Sequence, residues 1–498
     1  MNVNPITRLD YPDLDVIRVE DTYYMVSTTM HFMPGCEILQ SFDLVHWEHV
    51  TYVYETLDHT DAQQLKSGQN IYGQGMWAAS LRYHEGRFCI CFVANDTRKT
   101  YLYTSEKIDG PWKKQLIEGF YHDGSLLFDE DGRNYIVYGN DEIWITELNE
   151  DLTAPKKDGL HRLLVSDHKN PELGYEGSHI QKINGYYYIF LIHSLRDRWM
   201  RTEACFYSDS LEGEFTGGDV LCDDRGYCGQ GVAQGGIVDT PDGKWYAMLF
   251  QDSGAVGRIP ILLPVTWKDH FPFFGQNGHV PEEIEVHSTR PGYIYQPLVG
   301  SDDFCNGLLP RWQFNHDPDP RYYHLDALQG TYTITTREVC TELTQAVNTL
   351  TQRMSYPSCA AEVTVDASAL KEGDVAGLCA LQSCYAAVGI TKHHGKYEVL
   401  MLDKKEDGIL DMTERTVVES HQMDFRLEAD FCNMKDEARC YYRVNKGDWL
   451  PIGTVHKLYF KLDHFTGCRF GLFCYAAEET GGSACFRDFK YYDVDEIS

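Results

Sequence analysis

Five times before residue 295, a tight acidic or amide turn hands the chain into a run of aromatic and β-branched residues. The copies are Glu20-Asp21-Thr22-Tyr23-Tyr24, Glu85-Gly86-Arg87-Phe88-Cys89, Asp131-Gly132-Arg133-Asn134-Tyr135, Asn184-Gly185-Tyr186-Tyr187-Tyr188 and Asp242-Gly243-Lys244-Trp245-Tyr246. Acidic-Gly or Asn-Gly between apolar runs is a hairpin signal. A second element follows several copies, as in Ser41 to Trp47, Ser105 to Trp112 and Ser208 to Phe215, and reads as the turn into an outer strand. A unit of this length with several strands and no helical period is a propeller blade. Five units predict a five-bladed β-propeller over residues 1–295. The competing reading, five unrelated hairpins in a sandwich, leaves the placement of the acids unexplained.

Stepping back seven or eight residues from the turns gives Asp13 before Glu20, Asp123 before Asp131 and Glu176 before Asn184. The other two units place Trp77-Ala78 and Gln234 there. Innermost strands line the axis of a propeller, so equivalent positions converge at one end of it. Surface acids have no reason to share a repeat position. Three carboxylates from three blades therefore meet in one pocket.

The repeat stops after His287-Ser288-Thr289-Arg290-Pro291-Gly292, and strands at sandwich-like spacing follow from Ser301-Asp302-Asp303-Phe304 onward. A chain of 498 residues exceeds one ordinary core, and 33 tyrosines favour strands over helices. The reading is all-β, with a second, β-sandwich domain over 302–498. That domain shows no acid/base constellation, and its His393-His394 pair reads as a solvated turn.

A formal net charge of −31 repels phosphate backbones and anionic lipid, so no nucleic acid or membrane partner is expected, while neutral sugars are unpenalised. No stretch has the run of apolar residues needed to span a bilayer. The sixteen cysteines are scattered, several inside apolar strands such as Cys89-Ile90-Cys91, which fits free thiols in a reducing compartment. There is no CxxC pair and no Cys/His cluster at zinc spacing. The first residues, Met1 to Pro5, carry neither a basic nor an apolar leader region. The expectation is a cytoplasmic protein; whether it forms a homo-oligomer is left open.

Paired carboxyls are the machinery of glycoside hydrolysis, in which one protonates the leaving oxygen and the other acts from the opposite face of the sugar. A third acid nearby raises the pKa of the first. Context favours Asp13 as base, the longer Glu176 as acid and Asp123 as modulator. Chemistry alone permits permutation, and Asp15, two residues from Asp13, is its rival.

Tyr11-Pro12-Asp13, His122-Asp123 with Ser125-Leu126, Glu176-Gly177 with His179-Ile180, Met76-Trp77-Ala78, Gly257-Arg258 and Leu263-Pro264-Val265-Thr266-Trp267 together resemble glycoside hydrolase family 43. Asn348 to Arg353 and Gly373 to Leu378 resemble the concanavalin-like sandwich behind the family's β-xylosidases. The resemblance implies an inverting exo-enzyme that releases xylose from the non-reducing end of xylo-oligosaccharides, with an α-L-arabinofuranosidase or a dual activity as the alternative. It assigns Asp13 as base, Asp123 as pKa modulator and Glu176 as acid. Arg258 matches an arginine that contacts substrate and the modulator region, and Trp77 and Phe32 match apolar walls of the sugar subsite. His122 and Gln234 complete the set of expected substrate contacts. The pattern often carries an axial histidine, sometimes with calcium, where this chain has Gln234, so no cofactor is expected to be required and no metal ligand set is assigned. A sugar-binding propeller without catalysis and a retaining fructan-type hydrolase are the readings from other classes.

Overall fold

A computed structural model describes residues 2–493, and there the first half of the chain forms five four-stranded antiparallel sheets, each in chain order. The innermost strands are Asp15–Val19, Met76–His84, Ser125–Phe128, Glu176–Ile183 and Val232–Asp239, in blades one to five. Each is joined to its neighbour by one of the five turns seen in the sequence. Glu85-Gly86 and Asn184-Gly185 hold positive φ at both residues, the conformation that matches the twist of a two-residue hairpin.

Apolar side chains alternate along these strands, so each blade buries one face against the blade before it and one against the blade after. The result is five apolar layers, one per junction. Ile38, Leu81 and Phe92 fill the layer between blades one and two, Cys91, Leu126 and Ile136 the next, and Tyr135, Ile189 and Leu191 the third. Phe190, Leu249 and Ile261 join blades four and five, and Tyr23, Met25 and Met248 close blade five on blade one. Two polar devices support the closure. The Arg18 guanidinium forks onto the carboxylate of Asp239. Asn2–Val3 pairs with Glu283–Ile284, and the Asn4 side chain exchanges hydrogen bonds with the backbone of Leu262 at 2.8 and 3.0 Å.

The second half packs an eight-stranded sheet on a seven-stranded one around a core that includes Val363, Phe425, Phe470 and Phe486. One edge strand of the larger sheet comes from the propeller. Phe32–Met33, inserted in blade one, pairs with Gln313–Asn315. The seam is also pinned by charge. The buried Arg353 guanidinium donates to Glu37 Oε2 at 2.8 Å and to the Asp10 carbonyl at 2.9 Å, and lies on the Tyr11 ring. Asp10 itself accepts from the amides of Arg258 and Gly467. All sixteen cysteines are free. Among the described residues no helix is long and apolar enough to cross a membrane.

Candidate active site

The chain enters the inner strands through bent backbone. Asp13, Asp123 and Gln234 take φ of 51°, 47° and 61°, a region that non-glycine residues seldom occupy. In blades two, four and five the pairing slips at the same place, between Trp77 and Ser80, Glu176 and His179, and Ala233 and Gly236. Such bulges bend a strand and re-aim its side chains. In those three blades they bend the strand at the repeat position, while in blades one and three the positive φ of Asp13 and Asp123 serves instead, and Asp13, Asp123, Gly177 and Gln234 line one pocket.

Asp13 is braced on both oxygens. Arg258 Nη1 donates to Oδ1 at 2.9 Å and the Thr28 hydroxyl donates to Oδ2 at 2.7 Å. The Ala78 amide donates to that same hydroxyl oxygen at 2.9 Å, which leaves the Thr28 proton for Asp13. Arg258 is 2% exposed, and its charge also lies over the Phe465 ring. Hydrogen bonds on both oxygens fix the carboxyl group in one orientation.

Asp123 sits deeper, with Oδ2 accepting from the Gly177 amide at 3.0 Å. Burial pushes its carboxyl up to about 6; the His122 charge pulls it down, and Glu176 and Asp13 push it up again. His122 Nε2 stands 3.6 Å from Asp123 Oδ2 and 3.6 Å from Glu176 Oε2. Asp123 above all, then Glu176, hold the imidazole proton on up to about 9 against the opposing effect of burial. Glu176 is the open member of the trio, its Oε2 accepting from the exposed Asn140 amide at 2.6 Å. Ligand atoms of His122, Asp123 and Glu176 lie within 4.8 Å of one another, close enough to hold a cation.

Asp15, the rival base, is a structural acid. Its Oδ2 accepts from Arg82 Nη1 at 2.6 Å and from the Leu81 amide at 2.8 Å, and His179 Nδ1 is 3.2 Å from Oδ1. Burial would raise its pKa, but Arg82 and His179 outweigh it and hold the carboxyl at about 2. This triad forms the floor of the same pocket, which Asp15 and His179 line together with Asp13.

Two expectations change. Arg258 braces Asp13 rather than Asp123, because its backbone carbonyl is bonded by the Tyr11 amide at the entry to blade one. Phe32 does not present a sugar-facing wall: it is 2% exposed, carries the Arg469 guanidinium at 3.5 Å from its ring centre, and is held in the seam by its pairing with Asn315. Trp77 stays half-buried, its ring 6.1 Å from His122 and 5.5 Å from Phe465. Gln234 is 5% exposed, and its backbone N–H donates to Oε2 of the fully buried Glu203 at 2.7 Å. Sequence reasoning missed Thr28, Asn140 and Phe465. Nothing in a local pattern marks Phe465, which reaches the pocket from the second domain.

Residues 3–272 match the family model "Glycosyl hydrolases family 43", and residues 301–492 match "Beta xylosidase C-terminal Concanavalin A-like domain". A "Beta-xylosidase" of Formosa agariphila is 27% identical over 99% of this chain and 89% of its own length. Among solved structures, a "Bifunctional GH43-CE" protein of Bacteroides eggerthii superposes with a TM-score of 0.93 at 42% identity over the whole of this chain. The chain spans 64% of that protein's length. A GH43 glycoside hydrolase, described in engineered form as displaying both endo-xylanase and exo-arabinofuranosidase activity, superposes with a TM-score of 0.87 at 27% identity over 99% of both chains.

Proposed function

The chain belongs to glycosyl hydrolase family 43, and from that premise we propose that it is an inverting exo-hydrolase releasing xylose from the non-reducing end of neutral xylo-oligosaccharides. The observation that carries this reading is the unequal treatment of two acids at one pocket. Asp13 is pinned by Arg258 and Thr28 as a fixed carboxylate, whereas Glu176 is open and flanked by Asn140 and His122. Asp13 takes a proton from water as that water attacks the anomeric carbon. Glu176 gives its proton to the departing glycosidic oxygen, and the Asn140 amide and His122 imidazolium then hold the carboxylate it becomes. Asp123 stabilises the imidazolium. Phe465, set against Trp77 and Arg258, walls the pocket from the sandwich side and supports attack at chain ends.

An α-L-arabinofuranosidase or dual activity is the second reading, favoured by the exo-arabinofuranosidase activity named for the engineered neighbour. Hydrolysis by these groups calls for no cofactor, and the sixteen free thiols support a reducing, cytoplasmic setting.

A panel of aryl β-xylosides and α-L-arabinofuranosides ranks the two activities, and proton NMR of the first-formed sugar reads the stereochemistry. A β-xyloside should yield α-xylose before mutarotation; β-xylose appearing first overturns the inverting mechanism. Glu176→Ala should keep far more of its rate on an activated aryl glycoside than on xylobiose, while Asp13→Ala should lose both alike.

A further inference from the structure

The inner strands that carry the catalytic acids at their entries also have far ends. There, below the Asp15–Arg82–His179 plug, lies an open basin of about 420 Å3. Its size lies in the range of small-ligand sites. It is unrelated to the trio, whose side chains stand at the opposite mouth of the axis.

The lining has two characters. Aromatic rings come from three blades. His84 stacks on Phe128 at 4.5 Å and 6°, Tyr83, 45% exposed, lines the rim with its ring 4.6 Å from Phe88, and Trp245 faces the basin from blade five. Such rings offer flat apolar faces to the C–H side of a sugar, with edges that accept or donate hydrogen bonds. The second character is charge that is already matched. Arg18 forks onto Asp239, Lys182 binds Asp129 at 2.6 Å and pairs with Glu130, and Arg82 binds Asp15. A charged ligand would find no unpaired partner. Paired carboxylates and guanidinium groups nevertheless keep lone pairs and N–H groups for hydroxyls. Walls of this kind fit a neutral polyhydroxylated molecule.

We propose that this basin is a second, non-catalytic binding site for a short neutral saccharide of the class hydrolysed at the catalytic mouth. The identity of that class rests on the hydrolase reading above. Holding product-like or polymer-attached sugar on the back of the propeller leaves the catalytic mouth free for chain ends.

Calorimetry with xylotetraose on a Glu176→Gln protein, which cannot turn the sugar over, tests it. Two sites are expected. Adding Tyr83→Ala with His84→Ala should weaken one of them by at least tenfold and leave the other unchanged. The same pair of substitutions in the otherwise wild-type enzyme should leave kcat on an aryl xyloside unaltered. If the double variant fails to fold, Trp245→Phe is the alternative: the tryptophan fluorescence change that accompanies the second binding step should vanish. A wild-type enzyme that hydrolyses xylosides while Glu176→Gln binds one equivalent overturns the basin alone. Absence of both hydrolysis and binding overturns the basin and the hydrolase reading together. Two sites that both survive the Tyr83, His84 and Trp245 changes place the second elsewhere and also overturn it.

Discussion

At His122 a single imidazolium stands 3.6 Å from one oxygen of each of two acids. A charge at that distance, in a setting of intermediate dielectric, is worth about 4 kcal/mol before the exposure of Glu176 reduces it. Its effect on Asp123 has a definite sign. The cation favours the ionised form, so it lowers a carboxyl that burial otherwise raises, and the balance lies at about 6. His122→Asn removes the cation and lets the Asp123 pKa climb. If ionised Asp123 is needed to keep the site organised, the acid limb of the kcat/KM profile should move to higher pH by about one unit. A pH–rate comparison of the two proteins checks this; an unmoved acid limb would separate Asp123 from the limb altogether.

Strand geometry decides where those residues point. The bulge after Glu176 depends on Gly177, whose φ is +65° and whose added Cβ would lie 2.7 Å from Gln234 Cγ. Gly185, in the turn at the far end of the same strand, has φ of +86° but open space around a Cβ. The two glycines form a matched pair. Gly185→Ala should cost about 1 kcal/mol through backbone strain alone and leave turnover intact. Gly177→Ala should carry that cost and also collide with the Gln234 side chain, shifting the backbone that carries Glu176, with kcat/KM falling at least tenfold. Thermal melts read the first effect and kinetics the second. Equal activity in both variants would show that the bulge does not aim the acid.

Across the whole molecule, the seam between propeller and sandwich is both a support for the site and its weak point in acid. His31, His316 and His464 are buried there around Tyr72, and His464 stacks on that ring at 3.9 Å, one residue before Phe465. Neither ring nitrogen of His31 has a hydrogen-bond partner. Burial holds all three imidazoles neutral, His464 down to about 3 and the others well below their usual range. Their unfolded forms bind protons from about pH 6.5 downward, so the stability they contribute is whole above that pH and drains away as pH falls toward 3. Glu37 adds to the same slope. Burial would raise it, but Arg353 and His49 hold it at about 2, so its contribution is lost between about 4.5 and 2. The melting temperature should therefore fall steadily below about pH 6.5, with loss of activity tracking exposure of the seam. Arg353→Met should cost about 3–5 kcal/mol by stranding Glu37, and should lessen the dependence below pH 4.5. Differential scanning calorimetry across pH checks both; a flat profile from pH 7 to 4 would count against the seam as the site of acid lability.

Blade number, sheet class and the three acids were legible in the sequence because each is written in neighbouring residues. A turn such as Asn184-Gly185 needs its own φ values, strand alternation has a period of two, and a repeat position is a count along the chain. Chemistry alone did not separate Asp13 from Asp15, which stand two residues apart at the mouth of the same strand. In the fold Arg82 from blade two takes Asp15, and Arg258 from blade five takes Asp13. The misassignment of Phe32 has the same origin. The sugar-facing wall came from the family resemblance alone, and the Phe32 strand edge is claimed by Asn315, far along the chain. Phe465 was invisible because a loop's reach depends on how two finished domains meet. The sequence by itself determined the repeating unit and the residues at its inner mouth. Only ring closure and the docking of the sandwich, which bring together groups hundreds of residues apart, decided which acid is paired, which is braced and which is left open.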